Sequence, residues 1–511
     1  MSSSRRILSA FCAALITLVL IPTIASAIPR DEVVSRGNVW VQRKVPYSQA
    51  HYASIDGRVL GKINNGTGYR MDCSGFISMC WNLRYPDGRL KSLDTAGLDM
   101  DSLVVPVAKA GLQAGDLMLR AKDRVTGGGH AVLFIDWADE THAYYWAYEE
   151  KGSDSGTIKS KRNYATDYTK SFFRPYRYRG ISPDFADVQE RVSGLDRYET
   201  AVAAVERSFP ASDTTSVPVA VIASGENWPD ALGGAALAGV QEGPLLLTAR
   251  GSLPWATRAS LVRLKPESVV ILGGTATVST AVESQIASMG IPVTRIGGAN
   301  RYEVSNSVAR ATIAQVVSRS EVVDTVYLAT GLSFPDALAV SPIAARTHRP
   351  ILLTGTDSLR PGTFALLKEL SVKNVVILGG TGSVSDKVAK ELIAGGFKVS
   401  RIGGADRYAA SINIAHHGKQ QGLGISWRSL GLANGSAFAD ALSGGVAQGQ
   451  SGEGALLVLT RGDRLTEGVA HELGEHRAEI LAEDGRLRVF GGSGTVLQGT
   501  RSTAAAVLRA K

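Results

Sequence analysis

Cys73 lies in the stretch "YRMDCSGF" (Tyr69 to Phe76), between the carboxylate of Asp72 and the hydroxyl of Ser74. A thiol attacks amides as its thiolate, and a free thiol with a pKa of about 8.5 is mostly protonated at neutral pH. Activation calls for a helix N-terminus, whose dipole favours the anion, and for a base within hydrogen-bond reach. A helix beginning at Cys73, with Ser74 and Gly75 in its first turn, supplies the former. For the latter there are His51, His130 and His142. His51 falls in a polar loop and reads as a surface residue. His130 follows a glycine run and opens a strand with Val132, Phe134 and Asp136 on its own face, which makes it the expected base.

The element that positions His130 is a hairpin. "HAVLFIDWADETHAYYWAYEE" reads as two strands around a turn at Asp139-Glu140, so paired residue numbers sum to about 279. His130 then faces Glu149, whose charge raises the imidazolium pKa and orients the ring. A one-residue slip would bring Glu150 instead. His142, the fallback, would face Trp137, about 23 Å along the strand from His130. Cys80, among Phe76, Ile77 and Trp81, reads as core.

Three landmarks in order, "DCSGF", "AGDLMLR" (Ala114 to Arg120) and "GGGHAVLFIDW" (Gly127 to Trp137), resemble the papain-like NlpC and CHAP group of bacterial cell-wall peptidases and amidases over about Arg30 to Arg179. The resemblance implies an α+β papain-like domain whose cysteine opens a helix, whose histidine opens the next strand, and whose third polar residue lies on the strand after that. Cys73, His130 and Glu149 take those places; His142 matches the commoner spacing, while a glutamate is similar to the amidase and CHAP side. The resemblance also implies that Asp72 and Ser74 recognise a substrate amine and that Tyr47 of "VPYS" stands near the cysteine. Helix capping by Asp72 and core packing by Tyr47 are the plainer alternatives. No metal or cofactor is expected.

The chain of 511 residues is too long for one core, and 44% hydrophobic with 20% charged residues fits two to four globular domains. Residues 1–27 read as a cleaved export signal: Arg5-Arg6, an apolar run from Ile7 to Ile21, then Ala25-Ser26-Ala27. "SRRIL" half-matches a twin-arginine signal, so the export route stays open. The apolar run falls short of about 20 residues, and no membrane span is expected in the mature protein. Cys12 leaves with the signal. In a helix, Cys73 and Cys80 lie about 10 Å apart, beyond the roughly 7 Å Cα limit for a disulfide. Unpaired thiols in an exported protein depart from the disulfide habit and suggest that one is kept for chemistry.

The net charge is +8; residues 1–27 carry +2, and residues 151–180, with eight basic against two acidic residues, carry +6, so the remainder is neutral. That distribution argues against nucleic acid. The basic belt, interleaved with Tyr164, Tyr168, Phe172, Phe173, Tyr176 and Tyr178, either lies on an anionic polymer or forms a solvated face.

Downstream, "RVSGLDRYETA" at Arg191, "RIGGANRYEVS" at Arg295 and "RIGGADRYAAS" at Arg401 recur after 104 and then 106 residues. "SGENWPDALGG", "TGLSFPDALAV" and "NGSAFADALSGG" follow in register, then "PLLLT", "PILLT" and "LLVLT", then "VVILGGTATVS", "VVILGGTGSVS" and "RVFGGSGTVLQ". Val219 to Ser224, Leu245 to Thr248, Val269 to Leu272 and Val293 to Ile296 read as buried parallel strands, alternating with helices such as Asp230 to Val240 and Thr280 to Met289. This predicts three tandem α/β modules with parallel sheets. The "GG" pairs read as turns, since no strand is followed by a full nucleotide-binding spacing.

These units resemble the type 2 cell-wall-binding repeats of Gram-positive bacteria over roughly Asp187 to Lys511. The resemblance implies a pseudo-threefold assembly that holds exported proteins on anionic secondary wall polymers. The third unit departs from the pattern at Ala439 and Leu456, each in place of proline. Arg197, Arg301 and Arg407 are candidates for bonding a polymer phosphate or carboxylate, or else for salt bridges to the Asp or Asn beside each or to a neighbouring module. Asp230, Asp336 and Asp440 read as helix-start residues that satisfy free amides.

The expectation is therefore a signal at 1–27, a cysteine hydrolase domain at 28–180, and wall-binding repeats at 187–290, 291–396 and 397–511. Together they imply a secreted, wall-associated peptidoglycan hydrolase acting on stem-peptide amide bonds. The alternative is a non-catalytic wall-binding or adhesion protein.

Overall fold

The computed structural model describes residues 28–510 except 63–65, 122–127, 153–154, 182–184, 186, 195, 211–215, 453 and 493. The expected export signal lies outside these residues, as does Gly127. The chain divides into two compact units, broadly before and after residue 182.

The leading unit is built on a six-stranded antiparallel sheet in the order Val104–Pro106, Arg174–Tyr178, Leu117–Arg120, His130–Trp137, Tyr144–Lys151, Gly156–Asn163. The helix Cys73–Cys80, all eight of whose residues are buried, packs on the two strands His130–Trp137 and Tyr144–Lys151. It begins where it does because extended Asp72 accepts the Gly75 amide at 2.7 Å, satisfying an otherwise free donor. Gly75 is required there: a Cβ at this position would run into the Arg70 carbonyl. The Asp116 carboxylate of "AGDLMLR" is fully buried between Arg30, at 2.9 Å, and Arg177, at 2.8 Å, so its role is structural.

The hairpin differs from its expected register. Leu133 pairs with Tyr148 and Phe134 with Ala147, a sum of 281, and after an irregularity near Ile135 Asp136 pairs with Trp146, a sum of 282. The connection is wider than a two-residue turn: the Asp139 carboxylate gathers the amides of Ala143 and Tyr144 and the Thr141 hydroxyl, which braces a six-residue loop. A shift of two preserves which face each side chain occupies.

The second unit holds three four-stranded parallel sheets. The first is ordered Leu245–Thr248, Val219–Ser224, Ser268–Leu272, Val293–Ile296, and the second Ile351–Thr354, Thr325–Thr330, Asn374–Leu378, Lys398–Ile402. In each, the outer strand carries the "RIGG" motif that opens the following repeat. The third sheet is ordered Gln189–Val192, Leu487–Phe490, Gly431–Asn434, Leu457–Thr460, so the first such motif, "RVSG", completes the last repeat. Arg191 donates to the carbonyls of Gly491, at 2.6 Å, and Val496, at 3.0 Å, and Arg509 pairs with Asp187. The three repeats thus close into a ring.

The helices Gly234–Val240, Pro335–Thr347 and Ala439–Gln450 pack on one another within a single core that draws on all three repeats. The first begins four residues later than its sequence pattern predicts. The aspartates at these starts do not cap amides. Asp230 accepts from Thr277 Oγ1 at 2.8 Å, while Asp336 and Asp440 bond Ser383 and Thr495, each in the loop after the "GG" pair. The first glycine of each pair has φ of +96°, +90° and +108°, and a Cβ there would strike the same carboxylate. Burial raises the pKa of Asp336 and Asp440 against these hydroxyl bonds.

Candidate active site

Cys73 sits at the N-terminus of its helix, 7% exposed, with the backbone amides of Ala131 and Ser74 near enough to its sulfur to favour the thiolate. The Ala131 contact places the thiol beside the start of the His130 strand. Burial pushes the thiol up to about 11; the Asp72 charge adds to this, against the two amides and Arg70. No hydrogen bond joins Cys73 to His130 among the described residues.

His130 turns its Nε2 to Glu149 Oε2 at 2.9 Å. Glu149 is 2% exposed and also accepts from Ser160 Oγ, at 2.5 Å, and Arg162 Nη1, at 2.9 Å. Burial raises its pKa, but the His130 bond, the Arg162 charge and the Ser160 hydroxyl outweigh it and hold the carboxyl down to about 2. An ionised carboxylate only accepts, so Nε2 carries the proton and Nδ1 is the basic nitrogen. Arg162 is fixed in turn by Asp167, through Nε at 2.8 Å and Nη2 at 2.9 Å, and Tyr145 donates to that carboxylate at 2.7 Å.

Ser160, Arg162 and Asp167 did not emerge as site residues from the sequence. Arg162 belongs to the segment read as a basic belt. The strand Gly156–Asn163 alternates, however: Lys159 and Lys161 are exposed, over the rings of Trp146 and Tyr144, while Ser160 and Arg162 turn to Glu149. That period of two was the available signal.

Glu150 points to the other face. It is fully buried, accepts from Thr157 Oγ1, and its Oε1 has no hydrogen-bond partner. Burial, aided by the Asp72 charge, pushes it up to about 8 against the Thr157 bond. Asp72 caps the helix, pairs with Arg70 and accepts from Ser74 Oγ at 3.2 Å, and Arg70 Nη2 donates to Ser74 Oγ at 2.9 Å. Tyr47 Oη accepts from Gln49 at 3.1 Å; burial raises its pKa, and Cys73, Asp72 and Glu150 lie close enough to add to this. His51 bonds only locally, Nδ1 to Ser48 Oγ at 2.8 Å, and exposed His142 stacks on Trp137 at 4.5 Å. Cys80 is buried and forms no disulfide.

In the second unit the three arginines tie neighbouring repeats together. Each donates to a carbonyl of its own repeat: Arg197 to Gly225 at 2.5 Å, Arg301 to Gly331 at 2.6 Å and Arg407 to Gly435 at 2.7 Å. Each guanidinium also lies over an aromatic ring of another repeat: Arg301 on Trp228 at 5.3 Å, Arg407 on Phe334 at 6.0 Å, and Arg197 on Phe438 at 5.9 Å. Trp228 meets Phe334 at 5.9 Å and Phe334 meets Phe438 at 6.2 Å.

The sequence pattern of cell wall binding domain 2 (CWB2) matches residues 191–283, 295–389 and 401–500. N-acetylmuramoyl-L-alanine amidase LytC of Bacillus subtilis is 33% identical over 285 residues, 56% of this chain and 53% of that protein. The amidase enhancer of the same organism is 31% identical over 292 residues, 57% of this chain and 38% of that protein. The chain thus spans about half or less of the curated relatives it matches, and the LytC match covers the repeats. Among solved structures, Cwp6 from Clostridium difficile aligns over 78% of this chain and 64% of its own with a TM-score of 0.54, and Cwp8 over 71% and 59% with 0.53, each at 21% identity. At that identity the likeness is one of fold.

Proposed function

The chain belongs to the cell wall binding domain 2 family and is cell-wall-associated, and from that premise we propose that it is an exported peptidoglycan hydrolase. In this reading the leading unit, of papain-like NlpC or CHAP type and spanning about 28–180, is the cysteine peptidase or amidase. The three repeats, within 187–511, hold it on an anionic wall polymer. The observation that carries the catalytic part is the bond from His130 Nε2 to ionised Glu149, with the amide of Ala131, next to His130 on the same strand, near the Cys73 sulfur.

Burial keeps the resting thiol neutral, so His130 acts as a general base rather than as half of a standing ion pair. As Cys73 attacks an amide carbonyl of the stem peptide, Nδ1 takes the thiol proton and returns it to the departing amine; water then releases the acyl group. Catalytic hydrogen bonds that are long in the free enzyme tighten on substrate, which the Cys73–His130 pair requires. By family resemblance Asp72 and Ser74 would recognise the substrate amine, with Tyr47 near the cysteine, while Asp72 and Ser74 also brace the helix. Cys73→Ala protein should release no muropeptides from purified sacculi; wild-type release by this variant would end the proposal.

A second reading, a non-catalytic protein whose leading unit binds wall peptide, draws on the raised thiol pKa and the unmade Cys73–His130 bond. Binding of sacculi by the wild type without any release of fragments would favour it.

A further inference from the structure

We infer that the third repeat carries a zinc site made of His416, Glu472 and His476. His416 lies on the helix Arg407–Lys419; Glu472 lies on the helix Glu467–Glu475, and His476 caps its end, so the latter two share a face one turn apart. His416 Nε2 is 3.1 Å from Glu472 Oε2, and His476 Nε2 is 3.4 Å from the same oxygen. All three donor atoms lie within 4.8 Å of one another. Tetrahedral zinc with bonds of about 2.0–2.1 Å sets its ligand atoms about 3.3 Å apart, so both measured separations match edges of that tetrahedron.

The rings are held before any metal arrives. Trp427, 1% exposed, stacks on His476 at 4.0 Å and 8° and meets His416 edge-on at 5.2 Å. Glu479, the other carboxylate nearby, is engaged by Lys419 and by the Trp427 amide at 3.0 Å. Two imidazoles and one carboxylate suit zinc better than calcium or magnesium, which take oxygen donors. Three protein donors leave a fourth position for water or an anionic oxygen.

The other repeats show what this site replaces. Nine residues after the arginine of each "RY" pair stand Glu206, Arg310 and His416. Arg310 pairs with Glu369 at 2.7 Å, and Glu206 faces the Arg263 charge. Between the corresponding helices the second repeat has an ordinary ion pair, where the third has three potential metal donors.

The test uses the full chain, stripped with chelator, titrated with Zn2+ by calorimetry and with Co2+ by absorption. One equivalent should bind, with tetrahedral cobalt bands and no sulfur charge-transfer band, and zinc should raise the melting temperature. Glu472→Gln and His476→Ala should each weaken zinc at least about tenfold. His416→Arg installs the residue of the second repeat, which can keep a charged link to Glu472 while removing a donor; it should fold and lose the metal. Unchanged affinity in folded His416→Arg protein, loss of binding in Cys73→Ala, or no binding at about 1 mM zinc would each overturn the site.

Discussion

Arg162 and His130 meet the same oxygen of Glu149, each at 2.9 Å, from the two strands that flank it in the sheet. The carboxylate is therefore balanced from both sides although it is 2% exposed. Glu149 is held at about 2 against an ordinary 4.5, so its contribution to stability is complete above about pH 4.5 and is lost as pH falls toward 2. The difference corresponds to about 3 kcal/mol. Glu149→Gln should flatten that part of the stability profile, measured by urea unfolding from pH 3 to 7. Under the proposed mechanism it should also lower kcat by about 10²-fold or more. An unaltered acid limb would contradict the described geometry.

Arg162→Met leaves Glu149 and Asp167 buried without their shared cation. Breaking a buried pair costs about 3–5 kcal/mol, so this variant should unfold at markedly lower urea at pH 7. Its loss of stability on acidification should begin at higher pH. A change below about 0.5 kcal/mol would show that the guanidinium is dispensable.

The strands of the repeats were legible because each is a short apolar run ended by glycine: Val219–Ser224, Leu245–Thr248 and Val293–Ile296 are observed at their expected bounds. Ring closure was not, because nothing local in "RVSG" says that its partner lies about 300 residues away at Leu487–Phe490. In the leading unit the hairpin pattern fixed the faces but missed the register by two to three residues, since the Asp139 loop is wider than a tight turn. Glu149 still reaches His130 because a register change of two conserves the face, with the side chain spanning a diagonal. Arg162 was hidden by its charged neighbours, whose summed charge obscured the alternation along the strand.

Glu150 should show the opposite pH dependence to Glu149. Its folded value, about 8, exceeds the ordinary 4.5, so the folded chain binds more protons than the unfolded one between these values. Stability is then lost as pH rises through that window, by up to a few kcal/mol at pH 8. Glu150→Gln keeps the shape and a hydrogen bond to Thr157 while removing the titration. It should be more stable than wild type at pH 8 and differ little at pH 5; equal differences at both would refute the assignment.

Cys73 should react with iodoacetamide slowly at pH 6 and faster toward pH 11, without a plateau near neutrality, because burial and Asp72 hold the thiol protonated. Asp72→Asn removes the charge that adds to burial and should move the curve to lower pH. The Cys80 thiol is fully buried and should not label in folded protein. A rate already maximal at pH 6 would mean that a standing thiolate–imidazolium pair exists and that the general-base step is wrong.

The strand Gln189–Val192 is the outer strand of the third sheet, so the start of the repeat region is a structural part of its end. Arg191 supplies two carbonyl contacts to Gly491 and Val496, and Gln189 and Arg501 bond each other inside the core. Deleting residues 187–192 would strip the edge of Leu487–Phe490 and expose Val192's neighbours, whereas deleting a strand of an open array would loosen only the repeat that owns it. The deletion should therefore make residues 431–510 the first protease-sensitive segment while the first repeat, nearest in sequence, stays protected. Mass spectrometry of early cleavage products reads this directly. If the first cuts fall instead in residues 219–296, the repeats stand as an open row and the ring does not hold them.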